Sequence, residues 1–437
     1  MQTTHTGVPM KKLLLITLLS LFTATLFAQA VGVLEPDKTK SLTLDQALNL
    51  ALENSISIQR EKNSLQAAKR TSAHSWNNLL PSVSLSANDE IALPQSENTF
   101  GVEGKVSFSI SSDLFASMKK AKLDYEAKQI SFDQAVSEIT ASVKETYFSL
   151  LLTKQNLDFL KENLENAKNQ ADQNEERYRR GTLSEMEYLS SKVSYEKLKP
   201  ELKAQKLSYQ KELKTFCLFL GLDEEVILSG KLEDFITSYE AFFDENKKLE
   251  ISEAVSKGDI PSLLYLKKQI EAAEKEVSAE RLRAYGPSAI VSYTASPLLS
   301  GINLGQFKQS VSIGLSIPLE NLLPFSKGVD SIKTAKDSVN DLKLQLLEKN
   351  KTAATEYTYI IQSLSQKEES LTSLKNFVNL AQKNYEATKF AYSKGMTEFL
   401  SMQNASKENL EAKINLQNEL LETLKLYISF EKLYGGK

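Results

Sequence analysis

The sequence predicts a mainly α protein built on long antiparallel coiled coils, with four short strands that belong to a small membrane β-barrel shared between protomers. Three observations carry this. Gly and Pro make up only 26 of 437 residues (16 and 10), a composition of long helices rather than of strands and turns. Two very long segments, about Asp113 to Arg180 and Val329 to Lys394, contain neither residue. Two pairs of short segments alternate apolar and small polar residues.

The chain opens with Lys11 and Lys12, an apolar run from Leu13 to Phe27 and then Ala28-Gln29-Ala30, the three-part layout of a secretory signal over residues 1–30. The run is shorter than the ~20 apolar residues of a spanning helix. No Cys follows it to accept a lipid, and the nine residues before Met10 read as upstream of the signal.

Laid against itself, the chain repeats at a spacing near 207 residues. Leu42-Thr43-Leu44-Asp45-Gln46-Ala47 aligns with Leu249-Glu250-Ile251-Ser252-Glu253-Ala254. Pro81-Ser82-Val83-Ser84-Leu85 aligns with Pro287-Ser288-Ala289-Ile290-Val291, and Val106-Ser107-Phe108-Ser109-Ile110 with Val311-Ser312-Ile313-Gly314-Leu315. Tyr178-Arg179-Arg180-Gly181 aligns with Tyr392-Ser393-Lys394-Gly395. Two copies of one plan are therefore expected. The first, 31–248, carries a helix over 43–78, strands 82–93 and 102–111, a long helix 113–180, a helix 184–220 and an equatorial segment 221–248. The second, 249–437, carries a helix 252–284, strands 288–297 and 307–317, a long helix 329–394 and a helix 398–432.

Within the first long helix apolar residues step by three and four through Phe132, Val136, Ile139, Val143, Tyr147 and Leu150, and on through Leu160, Ala167 and Ala171. The second does the same from Ile332 to Tyr385. At 1.5 Å per residue such a helix reaches about 100 Å, too long to fold onto one compact core. Gly181 and Gly395 then sit at helix-to-helix reversals, where a C-cap glycine alone explains the geometry.

In the strands, Val83, Leu85, Val106, Phe108 and Ile110 alternate with Ser84, Ser86, Ser107 and Ser109, and Val311, Ile313, Leu315 and Ile317 with Ser312, Gly314 and Ser316. This is the pattern of a barrel strand between lipid and water, and a half-buried strand of a soluble sheet shares it. Export and the long coils favour the barrel, because an apolar strand face with no layer to cover it needs lipid or a partner. Four strands cannot close a barrel, whose smallest outer-membrane forms have about eight, so several protomers must share one.

Composition also excludes functions. The balance of 53 basic and 56 acidic residues leaves −3, without the excess that binds nucleic acid. Lone Cys217 rules out a disulfide framework within the chain, and His5 and His74 leave one imidazole at most for a zinc site or a catalytic triad. Cys217, among Phe216 and Leu218, reads as a buried apolar group, and Trp76 as an aromatic at the membrane interface. No enzyme, cofactor or metal is expected. A secreted coiled-coil tether without a pore is the alternative of a different class, and such a tether has no use for four apolar-faced strands.

At these residues the chain resembles the TolC-like outer-membrane efflux protein family. The likeness rests on Leu42 to Leu48 with Ala51-Leu52-Glu53-Asn54, on Pro81 ahead of the first strand, and on a paired reversal motif. In that motif an aromatic lies three before a Gly, with apolar residues five and seven after it: Tyr178, Gly181, Met186, Tyr188 and Tyr392, Gly395, Leu400, Met402.

The resemblance implies a homotrimer in the outer membrane, each chain giving four strands to one twelve-stranded barrel, its helices continuing as a hollow cylinder through the periplasm. An equatorial belt would come from 221–248 and the C-terminal tail. The reversals would form the tip, where Gly181, Thr182, Leu183, Gly395, Met396 and Thr397 meet a periplasmic adaptor. Substrates of efflux or type I secretion would pass through, driven by an inner-membrane pump, because this chain has no P-loop. The family's closed tip uses a tyrosine three before the second Gly, a base two after it, acids six and nine after it, and an acid six after the first Gly. This chain keeps Tyr392 and Glu187 but has Thr397, Ser401 and Asn404 at the others. Arg177, Arg179 and Arg180 stand as the bases nearest the gate, and three arginines at a helix C-terminus also suit the macrodipole.

Overall fold

A computed structural model describes residues 40–91, 98–223, 226–297 and 307–434. The signal expected at 1–30 and the end of the strand expected over 82–93 lie outside these residues. The chain falls into two units, Met1–Ser41 and Leu42–Lys437. Of the first, residues 40–41 are described, as the start of a short strand, β1 (Lys40–Leu42).

The second unit is mainly α with a single four-stranded sheet. Helices α1 (Leu44–Asn54) and α2 (Ile56–Ala73) lead through a 3-10 turn, Ser75–Leu79, into β2 (Ser82–Ile91) and β3 (Asn98–Ser111). The long helix α3 (Leu114–Arg179) and α4 (Glu185–Phe219) follow. Then come β4 (Val226–Leu228), α5 (Leu232–Phe242), α6 (Glu245–Lys257) and α7 (Pro261–Tyr285). Strands β5 (Ser288–Pro297) and β6 (Phe307–Ser316), a 3-10 turn at Leu319–Leu322, the long helix α8 (Lys327–Ser393) and α9 (Phe399–Tyr434) complete it. Among the described residues no helix is long and apolar enough to cross a membrane, which says nothing of a β-barrel.

Two helices expected as continuous are broken. The segment 43–78 divides at Ser55, whose ψ of 120° ends α1 and whose Oγ caps α2 by accepting from the Ile58 N–H. The break frees Asn54 to donate from Nδ2 to the carbonyl of Leu220 (2.7 Å), capping the far end of α4. The segment 252–284 divides because Gly258 is left-handed (φ 68°) and Pro261 starts the next helix, where its missing N–H costs nothing. The first of these helices begins at Glu245, inside the segment expected to be equatorial.

The core sits at the midpoints of the long helices. Val143, Tyr147, Phe148 and Leu151 of α3 pack with Ala47 and Ala51 of α1, Leu220, Leu228, Leu232 of the loop side, and Leu420 and Leu424 of α9. A second cluster joins Ile251, Ile260 and Leu263 to Ile360 and Leu364 of α8 and Phe430 of α9. The phenol oxygen of Tyr147, fully buried, lies 2.9 Å from the carbonyl of Leu42 and 2.6 Å from that of Ser229, which share its single proton. On the sheet side of this core the helices lie side by side in the order α2, α3, α7, α8, and on the other side in the order α4, α3, α9, α8. One border is thus made of α2 and α4, the other of α8.

Candidate pore tip and membrane sheet

The sheet is antiparallel in the order β2-β3-β5-β6, so the two halves of the chain meet at the β3–β5 pair. Register sorts the residues by face, because side chains alternate with period two, with Ile290 the apolar exception among the serines. Val83, Val106, Tyr293 and Val311 form one row, and Ile110, Ala289 and Leu315 another. On the opposite face Ser82, Ser107, Ser292 and Ser312 stand in line, with Oγ–Oγ hydrogen bonds of 2.7 Å for Ser82–Ser107 and 2.6 Å for Ser292–Ser312. Among the described residues no layer covers the apolar face: Leu85 and Ile313 are each 80% exposed. Within the chain β2 and β6 are edge strands.

At the other end the two reversals are built alike. The Gly181 N–H donates to the Tyr178 carbonyl (2.8 Å) and the Thr182 N–H to that of Arg177 (2.9 Å). The Gly395 N–H donates to Tyr392 (2.9 Å) and the Met396 N–H to Ala391 (2.9 Å). Both are Schellman closures around a left-handed residue, φ 71° and 73°, which is what requires glycine. The helix leaving the first reversal is capped by Ser184, whose Oγ accepts from the Glu187 N–H (3.3 Å).

The spacing of the motif now has a physical reason. The residue three before each Gly packs on the residue seven after it, across the reversal. Tyr178 stacks on Tyr188 (centroids 5.1 Å, planes 4° apart), and Tyr392 clusters with Met402 and Phe399. The residue five after, Met186 or Leu400, points away and is exposed.

Tyr392 is 3% exposed, and its phenol donates to Oδ1 of Asn174 on α3 (3.0 Å). Asn174 is itself fully buried and also accepts from Gln170 Nε2 (3.0 Å), while its own Nδ2 finds no partner among the described residues. The Arg177 guanidinium lies 5.5 Å from the centroid of the Tyr392 ring. Burial pushes the Tyr392 phenol above its usual range; Asn174 and Arg177 pull the other way and the nearby Glu187 charge adds to the rise.

The remaining expected site residues are placed as follows. Thr182, Met396, Ser401 and Asn404 are exposed, and Leu183, Glu187 and Thr397 half-buried. Arg179 and Arg180 turn back along their own helix to Glu175 and Glu176, four residues earlier. Among the described residues Glu187 makes no ion pair with any of the three arginines, so the partner of the phenol is an amide, not a charge network. Asn174 and Gln170 escaped the sequence reading. The signal was available: Asn174 continues the seven-residue row of Leu160 and Ala167, and an amide at a core position of a coil is uncommon enough to mark a specific contact.

The sequence model of the family described as outer membrane efflux protein matches residues 47–221. No curated protein matches the chain. Its fold is similar to that of CusC, at 13% identity and a TM-score of 0.74, over 93% of this chain and 96% of that one. The Campylobacter jejuni CmeC outer membrane channel is similar at 16% identity and 0.73, over 93% and 91%. The Vibrio cholerae outer membrane protein VceC is similar at 15% and 0.71, over 90% and 96%. The chain thus matches the outer membrane efflux protein family over 47–221 and shares the fold of these TolC-like channels over nearly its whole length.

Proposed function

We propose that three copies of this chain close a passive exit duct across the outer membrane and into the periplasm. Docked by its tip on a periplasmic adaptor and energised by an inner-membrane pump, it conducts substrates of efflux or type I secretion to the exterior. The observation that carries this is the uncovered sheet, with one apolar face, one largely serine face and two edges among the described residues, in a chain whose residues 47–221 match the outer membrane efflux protein model. Three sheets joined β6 to β2 give twelve strands with lipid outside and hydroxyls inside. The same rotation brings the α8 border of one copy to the α2 and α4 border of the next. Exposed apolar residues on both, Leu344, Leu347 and Tyr359 against Val193 and Leu207, support that contact.

On this reading 31–248 and 249–437 are two copies of one plan. The tip residues Gly181, Thr182, Leu183, Gly395, Met396 and Thr397 take the adaptor; Met396 is 76% exposed, and Phe390 and Leu400 near it in sequence and Met186 beside the first reversal are exposed too. Tyr392, held by Asn174 and overlaid by Arg177, is the gate residue. Neutral Ser401 and Asn404 leave the lumen ring at those two positions uncharged, which weakens cation preference.

The test is reconstitution. Purified protein should run as a heat-resistant trimer in detergent and conduct in liposomes, more so when a tip variant opens it. A stable monomer with intact strand content would sink the duct. Leu183→Asp with Met396→Asp should abolish export and leave the trimer inserted; unchanged export would remove the tip as the docking surface.

A further inference from the structure

The two reversals differ at one chemical point. Seven residues after the first glycine stands Tyr188, stacked on Tyr178. Seven after the second stands Met402, a thioether, packed with Tyr392 and Phe399 in a cluster separate from the rest of the core. Methionine is scarce in this chain, six in 437 residues, yet of the four that are described (Met118, Met186, Met396 and Met402) three lie within seven residues of a reversal glycine. Their burial is graded. Met186 and Met396 are 74% and 76% exposed, whereas Met402 is 6% exposed and packs on the tyrosine whose phenol joins α8 to α3.

A thioether suits this place, being apolar, polarisable and favourable against aromatic rings. Its sulfoxide does not, because the S=O group is a polar acceptor that needs a donor when buried. The hydroxyl of the cluster is the Tyr392 phenol, and its single proton already goes to Asn174 Oδ1 at 3.0 Å. Oxidation of Met402 therefore sets two acceptors against one proton. Either the phenol turns to the sulfoxide and Asn174 loses it, or the sulfoxide leaves the cluster and Tyr392 loses its packing. Both weaken the closed tip. Because Met402 is buried, an oxidant reaches it only after the cluster has parted, so the reaction follows opening.

We propose that Met402 is an oxidation site which holds the duct open once hydrogen peroxide has reached it. The inference rests on the reading of Tyr392 as the gate. A sulfur lone pair attacks one peroxide oxygen, the O–O bond breaks, and that oxygen stays on sulfur while its proton passes to the departing hydroxide, which leaves as water. Sulfur is oxidised by two electrons and the peroxide reduced by two; a methionine sulfoxide reductase, drawing on thiols, reverses the step. The test is single-channel recording of the full trimer before and after hydrogen peroxide, with peptide mass spectrometry of the same samples. It compares wild type, Met402→Leu, Met402→Gln, Met186→Leu/Met396→Leu and Tyr392→Phe. In the wild type Met186 and Met396 should be oxidised first and Met402 later, and Met402 should react faster in Tyr392→Phe, whose gate is loosened. Open probability should rise about fivefold for each protomer converted, the worth of one lost neutral hydrogen bond, stay raised when peroxide is removed, and fall again with the reductase. The rise should be absent from Met402→Leu and present in Met186→Leu/Met396→Leu. Met402→Gln, which brings a polar acceptor into the cluster, should be more open than wild type without oxidant. A persistent rise in Met402→Leu, or complete oxidation of Met402 with open probability unchanged, overturns the oxidation site and leaves the duct standing. Equal open probability in Tyr392→Phe and wild type removes the gate, and no conductance in any variant removes the duct; the oxidation site falls with either.

Discussion

Replacing Tyr392 by Phe tests the proposed gate with a change of one atom. The phenol is buried and donates to Asn174 Oδ1 at 3.0 Å. Its loss costs about 1 kcal/mol, the net worth of one neutral hydrogen bond. The cost stays at that level because Asn174 Oδ1 keeps its second donor, Gln170 Nε2 at 3.0 Å, and because the ring remains for Arg177 and Phe399 to pack on. About 1 kcal/mol is roughly a fivefold shift per protomer; if three protomers open together, about 3 kcal/mol moves the open-to-closed ratio by roughly 150-fold. Asn174→Ala goes further, because it leaves the phenol as an unpaired buried donor at about 1–3 kcal/mol. The assay is single-channel recording of wild type, both single variants and the double variant, with open probability as the readout. The cycle should show a coupling of about 1 kcal/mol between the two sites. Equal open probability in wild type and Tyr392→Phe, or an undiminished effect of Tyr392→Phe in the Asn174→Ala background, would refute the amide latch.

The same phenol predicts a pH dependence. Burial first of all raises its pKa above the ordinary 10.0, so the neutral, latched form is complete below that value and is lost as pH rises through the raised one; alkaline pH should open the wild type and not Tyr392→Phe. Tyr147→Phe should cost about 1–2 kcal/mol in denaturant unfolding followed by helical circular dichroism, since a buried O–H shared by the carbonyls of Leu42 and Ser229 is lost; a loss under about 0.5 kcal/mol would contradict the buried geometry. Gly181→Ala and Gly395→Ala should each cost about 1 kcal/mol purely through the left-handed backbone, because a Cβ at either position meets nothing within 4 Å. Asn at the same positions should recover part of that loss in thermal unfolding, and equal destabilisation by both substitutions would point to a cause other than φ. Ile313→Lys, on the uncovered face, should reduce membrane insertion by about 2–4 kcal/mol if the site lies near the bilayer midplane, while leaving the strand pairing in place.

Much of this protein is local physics and was readable along the chain. The absence of Gly and Pro with apolar steps of three and four sets α3 and α8, the left-handed Gly181 and Gly395 end them, and alternation gives β3 and β6 one apolar and one polar face. The duplicated spacing around those glycines even held the contact of residue −3 with residue +7. Non-local contacts decided the rest. The break at Ser55 became visible only with its partner, since nothing local makes Asn54 leave the helix until Leu220 is beside it, whereas the break at Gly258 is marked locally by that glycine and by Pro261. The pairing of β3 with β5, which joins the two halves into one sheet, is set by register between segments far apart. Asn174 and Tyr392 lie 218 residues apart, and no periodicity in either helix names the other. Sequence fixes what each residue offers within a turn or two of its own backbone; which buried amide meets which phenol depends on how two helices of about 100 Å are placed against each other, and that placement is a property of the whole core.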